Sequence, residues 1–191
     1  DEHSSRPVIG ILADSGFGKT ALITGYLSYY RKPALICTFY EGDSLGSMMD
    51  ETMSLMRDHP EIKSVVFDNC SRISGDTALT GNLQQLHANC PDCTFFFVGT
   101  ALPPLPYSVL RGRNEYYELT HEDLALNTDE ISACFNDFWH FHMDAKEGEA
   151  FHSLTRGWFT SIQLLCAYLH KRSPDDMNVI DMKFVSGITD I

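Results

Sequence analysis

Basic residues are scarce. Fourteen Lys and Arg stand against 26 Asp and Glu, a formal net charge of −12 over 191 residues. A field of that sign repels phosphate backbones, so this chain does not hold nucleic acid through its overall charge. No apolar run reaches the roughly 18–20 residues that span a bilayer. The opening Asp-Glu-His-Ser-Ser-Arg-Pro lacks the pattern of a signal peptide, and Asp1 in place of a starting Met points to a piece of a longer chain. A second cysteine pair is missing too. Cys90-Pro91-Asp92-Cys93 is a lone CxxC, whereas a zinc module needs further ligands at set spacing. His140 and His142 could supply further ligands, but Cys90–Cys93 reads better as a turn between a helix and a strand than as a zinc or redox site. Most of the six cysteines sit in apolar segments, as reduced core thiols do. Free thiols of that kind suit the cytoplasm.

What is present is ample apolar material, 43% of residues, enough for one core or one core with a small appendage. Residues 13–20, Ala-Asp-Ser-Gly-Phe-Gly-Lys-Thr, follow the apolar run Val8–Leu12 and precede Ala21–Leu27, whose apolar residues recur at helical spacing. Strand, tight loop and helix is the setting of a phosphate-binding loop. Gly16 and Gly18 let the backbone curl its N–H groups inward. Lys19 would reach the β- and γ-phosphates, and Thr20 would place a hydroxyl on Mg²⁺. Gly16, Phe17, Gly18, Lys19, Thr20 and Ala21 are therefore the candidate nucleotide-binding residues of the loop. The helix that starts there turns its positive end to the anion. Two positions differ from the consensus. Ala13 replaces its first Gly, and Asp14 brings a carboxylate that weakens binding unless it points outward.

Further along, Ala34–Tyr40 is a continuous apolar run, as in a buried parallel strand. Ser44 or Asp43 can cap the helix expected over 45–57, whose methionines form a core stripe. Ser64–Asn69 is an apolar run that ends in Asp. Such a strand delivers Asp68 to the shell of Mg²⁺ opposite Thr20. Thr20 and Asp68 are the candidate metal ligands, and Asp68 and Asn69 the candidate catalytic pair. An acid usually follows this Asp in efficient ATPases. Asn69 can hold a water but cannot take its proton, so slow hydrolysis, or a base from elsewhere, is expected. A loop over 71–80 and a helix ending near Asn89 come next. Thr94–Thr100 is a further buried strand, with Thr100 as a polar sensor near the γ-phosphate. After the Pro-rich 101–106, Arg111 is a candidate phosphate contact, with surface pairing as its alternative. Tyr116–Leu119 is a short strand. Asn127-Thr128-Asp129-Glu130 resembles a capping box. Lys146-Glu147-Gly148 reads as a break before helices near 150–154 and 158–169. No chemistry is assigned to 172–191.

Four ordered motifs within about residues 8–170 carry a resemblance. The loop at 13–20 is similar to that of the MalT-like, LuxR-family regulators of the STAND class of ATPases. Leu102–Pro106 with Leu110–Arg113, Glu122–Leu126 with Asp129–Ile131, and Gly157-Trp158 with Gln163-Leu164 resemble that family's later segments. The resemblance implies an α/β P-loop NTPase of ASCE type, with a parallel sheet in a three-layer sandwich followed by a small helical lid bundle. The implied divisions are a nucleotide-binding core at 1–120, a lid at 121–171, and a tail or the start of a further domain at 172–191. It also implies ATP or ADP with Mg²⁺ as the ligand and self-association in the ATP state. DNA would be bound only through a domain beyond residue 191. Asn69, Thr100 and Phe159 stand where the family has an acid, an Arg and a Pro. Two other readings use the same residues. One is an interaction scaffold that has lost nucleotide. The other is a small phosphoryl-transfer enzyme with Asp43 as its base.

Overall fold

The computed structural model describes residues 7–31, 33–73, 88–140 and 142–171. Five strands form one parallel sheet: β1 (Val8–Leu12), β2 (Ala34–Thr38), β3 (Ser64–Asp68), β4 (Thr94–Gly99) and β5 (Tyr116–Thr120). Their order is β2-β3-β4-β1-β5. These are the apolar runs read from the sequence, with slightly different ends.

Side chains alternate along each strand and so divide between two faces. On one face Ile9, Ile11, Val66, Phe96 and Val98 are buried. There α1 (Lys19–Tyr30) buries Ile23 and sets the Tyr26 ring 5.6 Å from that of Phe96. It ends at Arg31 in the left-handed conformation, just before Pro33. The other face carries Val65, Phe67, Phe95, Phe97 and Tyr116. It packs on Leu45, Met49, Met53 and Met56 of α2 (Leu45–Asp58) and on Leu110 of α3 (Tyr107–Gly112). Helices on both faces make the fold a three-layer α/β arrangement. The methionines recur once per turn on the buried side of α2, as their spacing predicts, and Ser44 caps it by accepting from the Ser47 amide at 3.1 Å. Phe67 and Phe97 stack with ring centroids 5.0 Å apart, and Phe39 lies 6.1 Å from Phe67.

A boundary between two compact units falls after His121. The second unit is helical. After α4 (His121–Leu124) come α5 (Thr128–Ala133), which continues as a π-turn through Cys134–Phe138, then α6 (Ala145–Thr155) and α7 (Phe159–Lys171). Ile131, Phe135, Phe151, Ile162 and Leu165 form its core. Asn127 and Glu130 make the expected capping box, each accepting from the other's amide at 2.9 Å.

The break expected at 146–148 does not occur. Asp144 and Glu147 form a second capping box, and α6 runs through all three residues. Gly148 is buried, and a Cβ there would stand 2.6 Å from Ser132 Oγ and 3.1 Å from Thr128 Cγ2 of α5. The glycine lets two helices approach closely and does not end one. Asp144→Ala is expected to cost about 1 kcal/mol, read as a lower urea midpoint for the helical unit.

The helix expected to end near Asn89 falls mostly on 74–87, outside the described residues, as does most of the 71–80 loop; residues 88–89 are helical. The 172–191 segment also lies outside them. Among the described residues no helix is long and apolar enough to cross a membrane.

Candidate functional site

Parallel strands in register bring their carboxyl ends to one edge. Leu12 lies beside Gly99 and Thr120, and Thr38 beside Asp68. The segments leaving that edge therefore begin at Ala13, Phe39, Asn69, Thr100 and His121. In open α/β sheets this edge is where ligands bind.

The segment after β1 curls through Gly16 and Gly18, with φ of 86° and 80°. Side chains with a Cβ rarely adopt that region. Gly18 is the cap residue of α1 and contributes no side-chain hydrogen bond. Leu22 N–H donates to Gly18 O at 2.9 Å. The amides of Lys19, Thr20 and Ala21 belong to the turn before that bond, where a helix offers no carbonyl of its own. No acidic side chain lies in this first turn. The positive end of α1 is thus uncompensated by its own residues.

Lys19 folds back over the loop. Its Nζ donates to Ala13 O at 2.7 Å and to Asp14 O at 2.9 Å. Burial holds its pKa below the ordinary lysine value, while the Asp68 carboxylate, and after it that of Asp14, acts in the opposite direction. Asp68 is thus within electrostatic reach of the ammonium although β4 separates their strands. Asp14 is exposed, and its carbonyl meets Lys19.

No model of a known protein family matches the chain, and no curated protein matches it.

The Asp68 carboxylate is oriented by its neighbour: Oδ1 accepts from the Asn69 amide at 2.8 Å. Asn69 has φ 60° and opens a 3₁₀ turn at Cys70–Arg72. Asn enters the left-handed region more readily than most residues, so the backbone gives this amide a reason apart from chemistry. The β4 exit lies directly against that turn. A Cβ on Gly99 would stand 2.7 Å from Ala101 O and 3.1 Å from Ser71 N. Gly99 O also accepts from Ala13 N–H at 3.3 Å. One edge therefore gathers the loop at 13–20, Asp68, Asn69 and Thr100. Thr20, Ala21 and Thr100 are exposed there.

Arg111 is not brought to this edge. Its Nη2 donates to Glu118 Oε2 at 2.8 Å, and its guanidinium lies 5.2 Å from the Tyr116 ring centroid. Tyr116 begins β5 beside Val8, at the amino end of the strands. The surface-pairing alternative describes Arg111 as it stands. Asp43 closes a turn, with Oδ2 accepting from the Tyr40 amide at 2.8 Å.

His121 joins the edge without a motif to mark it. Its ring meets Phe17 edge-on with centroids 6.0 Å apart. Its signal in the sequence is only that it follows the last strand.

Among the described residues no three His, Cys, Asp or Glu side chains cluster as a metal site. Magnesium does not require such a cluster, since it is commonly held by one or two carboxylates together with substrate phosphates and water. Thr20 and Asp68 fit that mode. Lys19 and the first-turn amides of α1 fit the phosphates.

Proposed function

We propose that the chain is the ATP- or ADP-binding switch module of a cytoplasmic, MalT-like, LuxR-family regulator, with slow or absent hydrolysis. The P-loop NTPase core, of ASCE type, would be 1–120, with the helical bundle of 121–171 as a lid. The observation that carries this reading is that Lys19, folded over its glycine loop, comes within electrostatic reach of Asp68 across the edge where β1, β4 and β3 end. The strand order supports it: β4, which runs into the candidate sensor Thr100, lies between β1 of the loop and β3 of Asp68, the order that an ASCE-type sheet implies. In this reading the amides around Lys19 cradle the phosphates, and Thr20 and Asp68 hold Mg²⁺ between them. The ion, when bound, neutralises phosphate charge. Asn69 orients a water without deprotonating it, which supports slow turnover. The regulatory part of the proposal, with self-association in the ATP state and DNA bound through a domain outside this chain, rests on the four ordered motifs.

The two bonds from Lys19 to loop carbonyls favour a second reading. They hold the loop in shape by themselves, so a scaffold that has lost nucleotide would keep the same geometry. Purified protein separates the two. Denaturation followed by chromatography of the supernatant should release ATP or ADP from a switch and nothing from a scaffold. A magnesium test adds to this. Asp68→Asn is expected to weaken Mg·ATP binding by about tenfold, some 1.4 kcal/mol, and to leave magnesium-free ADP binding unchanged, as read by calorimetric titration.

A further inference from the structure

We infer that Cys90 and Cys93 form a reversible dithiol–disulfide pair at the amino edge of the sheet, independent of the nucleotide reading. The motif Cys90-Pro91-Asp92-Cys93 runs directly into β4, at the end of the strands opposite the 13–20 loop. Cys93 N–H donates to Cys90 O at 3.1 Å, which closes a four-residue turn. Such a turn keeps its first and last Cα within about 7 Å, and a disulfide spans about 4.4–6.8 Å. Pro91 sits at the second position, where its fixed φ favours the turn.

Their access differs. Cys93 is 5% exposed, and its Sγ donates to Ile62 O at 3.2 Å. Cys90 is half-buried, and both cysteines line a cavity of about 220 Å³ with Met56, Pro60, Lys63 and Asn89, so the difference in access is one of exposure alone. Burial, with help from Cys90 and Asp92 and against Lys63, pushes the Cys93 thiol up to about 11. Cys90 is thus the attacking group and Cys93 the resolving one.

With a small disulfide such as glutathione disulfide as oxidant, the Cys90 thiolate attacks one sulfur. A mixed disulfide forms and one glutathione leaves as thiol. Cys93 then attacks Cys90 Sγ, closing the Cys90–Cys93 bond and releasing the second glutathione. The protein pair loses two electrons and two protons, and glutathione disulfide gains them. The oxidised form has no S–H to donate to Ile62 O. Oxidation therefore removes a tie between the start of β4 and the residue that leads into β3.

The folded 191-residue chain is incubated with excess glutathione disulfide at about pH 8, where an ordinary thiol is partly ionised. It is then alkylated in denaturant and mapped by mass spectrometry. The expected peptide containing 90–93 has lost two hydrogens and carries no alkyl group, while the buried Cys37, Cys70 and Cys166 are alkylated. Cys93→Ser should instead retain glutathione on Cys90, and Cys90→Ser should take none at Cys93. Alkylation of both Cys90 and Cys93 in the wild type, or glutathione left unresolved on its Cys90, overturns the inference. The wild-type map decides the matter even if a variant fails to fold.

Discussion

Lys19→Ala is expected to abolish the stabilisation that the proposed function predicts Mg·ATP or Mg·ADP to confer on the wild-type protein. At a free nucleotide concentration of a hundred times Kd that stabilisation is about 2.7 kcal/mol. For a chain of this size it raises Tm by roughly 5–11 °C. The lysine carries such weight because nothing else in the described loop can put a positive side chain on the phosphates. Its ammonium already sits over the carbonyls of Ala13 and Asp14 and within reach of Asp68. Without ligand the substitution should be mild, since it removes hydrogen bonds from a side chain that is only partly buried. Thermal scans of both proteins with and without nucleotide check this. A variant that still gains the full shift would place the phosphates elsewhere.

Phe97→Ala is expected to cost about 3–5 kcal/mol, a large share of the 5–15 kcal/mol or so that holds a domain folded. Phe97 is fully buried two residues before β4 ends, and its ring stacks on Phe67 at an interplanar angle of 17°. Removing it leaves a cavity bounded by Phe67, whose strand ends in Asp68. Urea unfolding should show a lower midpoint with an unchanged slope. Phe97→Leu should recover part of the loss, because it refills most of the volume. An effect below about 1 kcal/mol would mean that the ring is dispensable and that the edge is fixed by something other than this stack.

The strands were legible because buried parallel strands are written as unbroken apolar runs, and 64–68 and 94–99 leave little choice of period. The loop at 13–20 was legible because its two glycines are needed for positive φ, which leaves a fixed spacing in the sequence. Gly148 misled for the opposite reason. A glycine that makes room for a neighbouring helix looks the same in one dimension as one that ends a helix. Only the distance to Ser132 tells them apart. Arg111 was ambiguous because a guanidinium five residues past the last proline of a run reaches many places. Its choice of Glu118 depends on how α3 packs back on β5, an arrangement that no local pattern encodes. His121 was invisible, since it has no motif partner and meets Phe17 only once two strands share an edge. Asn69 shows a residue with two readings at once. The sequence suggests a missing acid, and the backbone shows a left-handed turn that favours Asn.

The proposed anion cradle around Lys19 is tested most directly by mapping amide resonances of ¹⁵N-labelled protein as Mg·ADP is added. The largest shifts are expected at Gly16, Phe17, Gly18, Lys19, Thr20 and Ala21, with smaller ones at Asp68 and Asn69. Saturation should follow a single Kd. Unmoved resonances across 13–21 at millimolar Mg·ADP, or shifts confined to residues near Cys90, would contradict a nucleotide site at the carboxyl edge of the sheet.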